Sequence, residues 1–249
     1  MSEKLYTDIK SVFPAGFAEQ GFDPEISGKM KVLLNLLLEI QQAKEKVVLV
    51  SNFTQALDQF EEMCKIHEFK FLRLDGSTLL AKRQSLVDNF NSKYSPEFIF
   101  LLSSKSGGTG LNLIGASRII LFDIDWNPAT DLQAMSRIWR DGQTRRVVIY
   151  RLLTSGTIEE KIYQRQITKM SLSDSVIDVQ DSKKQFSLEE LKDVFTLHED
   201  TLCNTHDLLN CACCSEDISP ESKGGAKEKK QKPPAQKNPN FQIGKLLEW

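Results

Sequence analysis

Two arginines three positions apart, with a glutamine one turn before them, lie in the stretch QAMSRIWRDGQ at residues 133–143. Residues three or four apart share one side of a helix, so we expect Gln133, Arg137 and Arg140 to point the same way. A planar guanidinium group binds phosphate oxygens, and an arginine supplied to a nucleoside triphosphate stabilises the charge of phosphoryl transfer. The pattern predicts phosphate-facing arginines, with an ordinary surface helix of scattered arginines as the alternative.

A glycine-rich loop, SKSGGTGLNL at residues 104–113, follows the apolar run EFIFLLS. Glycines let backbone amides approach a phosphate closely, and hydroxyl and amide side chains add polar partners. We therefore predict that Gly108, Gly110 and Asn112 bind a nucleotide. A plain turn is the alternative for an isolated GGTG.

Four of the five cysteines crowd into twelve residues beside a histidine, in the pattern C-x2-H-x4-C-A-C-C. Two short ligand pairs separated by a turn fit tetrahedral zinc in a closed structural site. A reduced cluster without metal is the alternative. Any four of the five residues could bind the metal, with the last two cysteines competing for the fourth position. The candidate ligands are Cys203, His206, Cys211, Cys213 and Cys214.

The elements that must position these residues alternate between strand and helix. Short runs rich in Val, Ile, Leu and Phe are separated by stretches with helical spacing. This order predicts an α/β fold, with a parallel sheet covered by helices on both faces. Such sheets bind ligands outside the carboxyl ends of their strands. The predicted strands are residues 46–51, 70–75, 97–103, 117–123 and 147–153.

The length of 249 residues allows one such core with appendages. The net charge of -2 is unevenly distributed, because the segment from Arg137 to Met170 contains eight Lys or Arg and three Asp or Glu. This basic segment is compatible with a polyanionic partner. The longest Leu-rich run, VLLNLLLEIQQ, is too short to span a bilayer, and we expect no membrane partner. The predicted division is a lead-in segment at 1–27, a lobe at 28–170, an extension with the zinc site at 171–215, and a basic, disordered tail at 216–249 that ends in an apolar patch.

The stretch SSKSGGTGLNLIGASRIILFDIDWNPATDLQAMSRIWRDGQ resembles motifs five and six of the Snf-family double-stranded DNA translocases, within helicase superfamily two. VVLVSNFTQALD and RLDGSTLLAKRQSLVDNFN resemble the preceding motifs, and the resemblance covers about residues 28–170. The phrases DIDWNPATD, FTLHE and THDLLNC are most similar to the recombination-repair branch. The resemblance implies a RecA-like sheet that forms the second of two motor lobes, and it supports a small zinc-bearing appendage.

The resemblance also implies roles for individual residues. In this family the helix at 129–140 faces ATP and magnesium on the first RecA-like lobe, which favours Arg140 over Arg137 as an arginine finger and makes Gln133 help close the cleft. The implied partners are double-stranded DNA, a recombinase filament and the first lobe, and the implied localisation is nuclear. A groove that follows the DNA backbone would be lined by Ser51, Asn52, Arg73, Thr78, Arg83, Ser104, Gly107, Asp125 and Trp126.

The sequence contains no G-x-x-x-x-G-K-[ST] motif and no Asp-Glu pair of the Walker B kind after a strand. We therefore expect half of an active site, with the arginines but without the phosphate cradle or the metal ligands. The first hypothesis is a motor lobe of an ATP-driven DNA translocase in homologous recombination and repair. The second is a free-standing, non-catalytic lobe that binds DNA or the parent protein and regulates it. A first lobe joined upstream in the native polypeptide distinguishes the two. A third, an RNA helicase, is disfavoured by the DWNP and RDGQ phrases.

Overall fold

The computed structural model describes residues 23–106, 110–175 and 192–209. A 3-10 turn at Pro24–Ile26 precedes the first helix. Each strand lies within the range predicted for it, so the predicted strand positions are confirmed. In chain order the elements are α1 (Gly28–Gln42), β1 (Val47–Ser51), α2 (Thr54–Ile66), β2 (Phe71–Leu74), α3 (Leu80–Asn91), β3 (Ile99–Ser103), β4 (Arg118–Leu121), α4 (Pro128–Met135), β5 (Val148–Arg151), α5 (Ile158–Ser175) and α6 (Asn204–Leu209).

The five strands form one parallel sheet in the order β2-β3-β1-β4-β5. β1 lies at the centre and pairs with β3 on one side, in a register that ends with Ser51 opposite Ser103. It pairs with β4 on the other side. The loops that follow β1, β3 and β4 therefore meet at one edge, which we call the carboxyl edge. Open α/β sheets bind ligands in the crevice outside this edge.

Helices cover both faces of the sheet, as predicted. α1 and α2 pack on one face, where Leu37 and Phe60 are fully buried. α3 and α4 pack on the other face, where Phe90 and Ala134 belong to a second apolar cluster. Every residue of β1 is buried because neither face is open to water. Burial of each large apolar side chain contributes about 1.5–3 kcal/mol, and this core fixes the carboxyl edge in place.

α4 is shorter than the helix that we predicted at 129–140. It begins at Pro128, after the N-cap Asn127, whose side chain accepts a hydrogen bond from a backbone amide of the first turn. It ends at Met135, so the prediction is wrong for the last part of that range. Beyond it the amide of Arg137 donates to the carbonyl three residues back, as in a tighter 3-10 turn. That winding turns the side chains away from their directions in an ideal α-helix.

Residues 192–209 pack against α5, and we call this contact the dock. Lys161 Nζ of α5 lies 3.0 Å from Asp193 Oδ1. Gln164 Nε2 donates to Asn204 Oδ1 and Thr205 Oγ1 at 3.0 and 3.1 Å. α5 runs through the boundary that we placed at residue 170 and ends at Ser175. The remainder of the predicted extension, the lead-in before residue 23 and the tail lie outside the described residues.

The buried carboxylate of Glu160 is the centre of the dock. It accepts hydrogen bonds from the amides of Gly156 and Thr205 and from the Thr205 hydroxyl, each at 2.7 Å, and from the Cys203 thiol at 3.2 Å. Gly156 has a φ of +66°, and a Cβ there would lie 2.0 Å from the carbonyl oxygen of His198. The close approach of the two backbones therefore requires glycine. None of the described helices is long and apolar enough to cross a membrane.

Candidate functional site

The carboxyl edge is organised around Asp123, which follows β4. Its carboxylate accepts hydrogen bonds from the Ser51 hydroxyl and, at 2.7 Å, from the Asn52 amide. The Ser104 hydroxyl donates to the side-chain oxygen of Asn52. Ser51, Asn52 and Ser104, which were predicted from separate loops, thus come together at one place. Asp123 was missed, although its position directly after an apolar run was the signal for it.

Arg73 lies in a cluster of ion pairs between β2 and α2. Its guanidinium nitrogens are 2.6 Å from Asp58, 2.9 Å from Glu61 and 2.7 Å from Asp75. Burial opposes the charge of Arg73, but these hydrogen bonds raise its pKa above the ordinary arginine value. Three carboxylates outweigh one guanidinium, so this surface carries no excess positive charge. The structure gives Arg73 a role in packing, and its contact with DNA stays a prediction.

Asp75, Thr78 and Arg83 fix the loop that follows β2. Asp75 Oδ1 accepts from the hydroxyl and amide of Ser77 at 2.5 and 2.9 Å, and the hydroxyl bond is the main reason that the pKa of Asp75 is lowered. Thr78 Oγ1 accepts from the Asp75 amide at 3.1 Å. Arg83 donates to the carbonyls of Thr78 and Ser106 at 3.1 and 2.6 Å. Arg83 thereby joins the loops after β2 and β3.

The glycine-rich loop is described on either side of residues 107–109. Gly107 and Gly108, which we predicted to bind DNA and nucleotide, lie outside the described residues. Gly110 has a φ of +118°, a conformation that glycine adopts without steric cost. The backbone conformation at Gly110 therefore suits glycine, and nucleotide binding by this loop stays a prediction.

Asn91 at the end of α3 holds the second half of this loop. Its side-chain NH2 donates to the Asn112 carbonyl at 2.7 Å, and its oxygen accepts from the Gly115 amide at 2.8 Å. A Cβ at Gly115 would lie 2.8 Å from Asn91 Cα and 2.8 Å from the Phe90 carbonyl oxygen. The loop approaches α3 so closely that only glycine fits, and Asn112 is positioned as a result.

The two arginines after α4 differ in exposure. Arg137 is 3% exposed, and burial followed by the nearby charge of Arg140 lowers its pKa. Arg140 and Gln133 are exposed. We expected all three side chains on one side of a helix, and this is wrong because the regular helix ends at Met135. Arg140 alone of the two arginines therefore presents its side chain largely to solvent.

The residues at 136–142, which follow α4 and contain both arginines, are called the arginine turn below. An open cleft of about 480 Å³ lies between this turn and the glycine-rich loop, and it is lined by Asn112, Arg140 and Asp141. The Leu113 amide donates to the Arg137 carbonyl at 2.9 Å, which holds the two segments side by side. The buried Oδ1 of Asn112 has no hydrogen-bond partner among the described residues. The exposed guanidinium of Arg140 is a group of this cleft that could bind phosphate oxygens, and nucleotide binding here stays a prediction.

Gln143 closes the arginine turn and was missed by sequence reasoning. Its Nε2 donates to the Ala116 carbonyl at 2.8 Å and to the Ile114 and Ile138 carbonyls at 3.3 and 3.4 Å. Gly142 has a φ of +95°, as the Asp-Gly turn requires. A glutamine directly after that turn was the available signal. Its amide anchors the turn to the loop that follows Asn112.

The loop between β4 and α4 carries Asp125 and Trp126, and Trp126 is 47% exposed. Asp131 accepts from the Asp125 amide at 3.2 Å through Oδ1 and from Gln166 Nε2 at 2.7 Å through Oδ2. Burial raises the pKa of Asp131, and the hydrogen bond from Gln166 only partly opposes it. Asp131 and Gln166, which sequence reasoning missed, therefore hold this loop, and the DNA contacts of Asp125 and Trp126 stay a prediction.

The predicted zinc ligands are only partly described, because Cys211, Cys213 and Cys214 lie outside the described residues. Burial, and then the carboxylate of Glu160, raise the pKa of the Cys203 thiol. Zinc binds thiolate, so a thiol that donates to a carboxylate does not by itself fit a zinc site. Among the described residues no group of three or more His, Cys, Asp or Glu could hold a metal ion. The zinc site, with His206 among its ligands, stays a prediction.

A family model for the helicase conserved C-terminal domain matches residues 28–142. DNA repair and recombination protein RAD54B of Mus musculus is 60% identical over 216 residues, which cover 85% of this chain and 24% of that protein. DNA repair and recombination protein RAD54-like of Homo sapiens is 52% identical over 226 residues, which cover 89% of this chain and 30% of that protein. The chain spans about a quarter of the length of the curated relatives that it matches.

A similar fold has been solved in the C-terminal part of the Fun30 ATPase domain. The TM-score is 0.54 at 45% sequence identity, and the match covers 63% of this chain and 51% of that chain.

Proposed function

Because this chain carries the C-terminal helicase lobe of the Snf family, at its RAD54 branch, we propose that it is the second motor lobe of an ATP-dependent double-stranded DNA translocase. The family and branch predicted from the sequence motifs are confirmed. The relatives are named for DNA repair and recombination, and we propose that this lobe works there too. The observation that supports a motor role is the meeting of Arg140 and Asn112 at one cleft.

On the nucleotide side we assign Arg140 the role of arginine finger. It is exposed at the cleft, where its guanidinium can counter the negative charge of phosphate oxygens during phosphoryl transfer. Asn112 lines the same cleft beside Arg140. Arg137 supports the turn from inside, and Gln133 helps to close the cleft. ATP with magnesium, held together with a first RecA-like lobe, would supply the bond that is hydrolysed.

On the DNA side the carboxyl edge offers mostly neutral donors. Ser51, Asn52 and Ser104 place hydroxyl and amide groups in one network, and such groups bind the phosphate backbone without reading the base sequence. Thr78, in the loop after β2, and Arg83, on α3, lie on one flank, and the loop of Trp126 lies on the other. This arrangement suits an enzyme that must move along DNA of any sequence.

The partners follow from this assignment. We propose duplex DNA and a first lobe of the same polypeptide as direct partners, and a recombinase filament as the complex on which the motor acts. We propose a nuclear location because the relatives are named for DNA repair and recombination in eukaryotes. The alternative, a non-catalytic lobe that binds DNA or its parent protein and regulates it, needs no arginine finger.

The test is a chimera in which this chain replaces the matching C-terminal segment of mouse RAD54B. We expect DNA-stimulated ATP hydrolysis by the chimera, and a loss of at least about 100-fold in kcat on Arg140→Ala. Lys65→Ala, at an exposed residue of α2, is the control and should leave hydrolysis unchanged. The isolated chain should bind duplex DNA without hydrolysing ATP.

Three results would count against the motor assignment. Hydrolysis unaffected by Arg140→Ala would remove the arginine finger. An inactive chimera, together with DNA binding by the isolated chain, would favour the non-catalytic lobe. Tighter binding to duplex RNA than to duplex DNA would favour an RNA helicase.

A further inference from the structure

Three elements of the lobe meet at one buried amide, the side chain of Gln166 on α5. Gln166 is 1% exposed, and its Nε2 donates to the Asp125 carbonyl at 2.6 Å and to Asp131 Oδ2 at 2.7 Å. Asp131 Oδ1 accepts from the Asp125 amide at 3.2 Å. Both backbone polar groups of Asp125 are thus held by buried side chains from two helices.

Gln166 makes both bonds through the two hydrogens of one NH2 group. A carbonyl oxygen and a carboxylate oxygen both accept hydrogen bonds, and neither donates. A glutamate of the same shape would bring a second negative oxygen against Asp131, which already lies in a buried environment. The two partners therefore fix the orientation of the Gln166 amide and require hydrogen-bond donors from this position.

The segment that Gln166 holds leads to both sides of the candidate site. Trp126 follows Asp125 and is exposed at the carboxyl edge. The Asp125 carboxylate accepts from the Asn127 amide at 2.8 Å, and Asn127 is the N-cap of α4, which ends just before the arginine turn. A displacement of Asp125 would therefore move Trp126 directly and α4 through its cap.

We propose that Gln166 is a positioning residue that holds Asp125 so that Trp126 keeps its place for contact with duplex DNA. The inference rests on the proposed function, because it takes the carboxyl edge as the DNA-binding edge. It also gives α5 a second task. The same helix binds residues 192–209 through Glu160 and Gln164, so it connects the dock to the DNA-binding edge.

The experiment compares Gln166→Glu with the unsubstituted full chain. Hydrogen exchange measured without DNA should become about tenfold faster at the amide of Asp125, because its carbonyl and its acceptor are both disturbed. The affinity for a fluorescently labelled DNA duplex, measured by anisotropy, should fall about fivefold. Gln164→Glu is the matched control on the same helix. It disturbs the dock. Exchange at the Asp125 amide and the affinity for duplex DNA should both stay within about twofold of the unsubstituted chain.

Two further variants keep the test decisive. In the double variant Gln166→Glu with Asp131→Asn, the new amide can donate to the new carboxylate, so part of the lost affinity should return. Gln166→Met keeps the length of the side chain without a donor or a charge. It should also give faster exchange at the Asp125 amide and weaker DNA binding, and it replaces Gln166→Glu in the test if that variant does not fold.

Unchanged exchange at Asp125 in both single variants would overturn the proposal. Faster exchange with unchanged DNA affinity would also overturn it, because the loop would then be held for another purpose. Failure of the unsubstituted chain to bind duplex DNA would count against the proposed function itself. Exchange at Asp125 would still decide whether Gln166 holds the loop, because it is measured without DNA.

Discussion

Two carboxylates of this lobe, Asp131 beside the candidate site and Glu160 in the dock, are equally buried, each 3% exposed. Their pKa values nevertheless shift in opposite directions. Burial raises the pKa of Asp131, which accepts from Gln166 and from one backbone amide. Burial also acts to raise the pKa of Glu160, but two backbone amides, a hydroxyl and a thiol outweigh it, and the pKa lies below its ordinary value.

The number of hydrogen-bond donors helps to decide the direction in which the pKa of a buried carboxylate shifts. The Glu160 carboxylate accepts four hydrogen bonds, so its negative charge stabilises the dock. Asp131 is less satisfied, so the loop beside the candidate site retains an electrostatic cost. We expect the dock to behave as fixed structure, and the Asp125 loop to respond more readily to substitution and to pH.

The largest effect is expected for Gly156→Ala in the dock. The new Cβ would lie 2.0 Å from the His198 carbonyl, at a φ of +66°. We expect a loss of about 3 kcal/mol or more in the free energy of unfolding, measured by urea denaturation. Gly28→Ala is the control, since a Cβ there meets nothing within 4 Å. Equal losses in the two variants would show that the dock is not tightly packed.

The two carboxylates can be compared directly by isosteric substitution. Glu160→Gln should cost about 2–3 kcal/mol in unfolding free energy at neutral pH, because an amide cannot accept from all four donors. Asp131→Asn should cost about 1 kcal/mol or less, because removing a poorly satisfied charge offsets the lost hydrogen bond. Chemical denaturation of both variants measures the difference. A larger cost at Asp131 would contradict the comparison.

The pH dependence of the same variants should differ in sign. The pKa of Glu160 is lowered in the folded state, so its advantage over Glu160→Gln is present above the ordinary glutamate pKa and is lost as the pH falls through the lowered value. The pKa of Asp131 is raised, so the wild type gains relative to Asp131→Asn as the pH falls through the raised value. Denaturation curves between neutral and acidic pH would show parallel trends if the comparison is wrong.

The smallest effect is expected for Cys203→Ser. A hydroxyl can still donate to Glu160, so the unfolding free energy should fall by less than about 1 kcal/mol, whereas Cys203→Val should cost more because it removes the donor. The same samples test the predicted zinc site through metal analysis by mass spectrometry. Loss of bound zinc in Cys203→Ser would show that Cys203 is a ligand and not chiefly a donor to Glu160.

The sequence was sufficient where the signal is local or follows from strand order. Apolar runs located all five strands, and the parallel order placed the loops of Ser51 and Ser104 at one edge. Such features depend on periodicity and topology, which a single sequence contains.

Other features depend on pairings between distant residues. Gln166 lies 35 residues from Asp131, and nothing in the spacing indicates that they meet. Two of the three carboxylates that pair with Arg73 come from α2, fifteen and twelve residues earlier. The burial of Arg137 could not be predicted from helical periodicity, because the chain leaves the α-helix at Met135 and changes its winding.

The dock also bears on the order in which a newly made chain can complete this lobe. Among the described groups that bond to Glu160, only the Gly156 amide is synthesised before it. Cys203 and Thr205 follow it by 43 and 45 residues. A nascent chain therefore leaves the ribosome with the Glu160 carboxylate still unshielded by the dock. The hydrogen bonds between the first turn of α5 and residues 203–205 can therefore form only after those later residues have emerged.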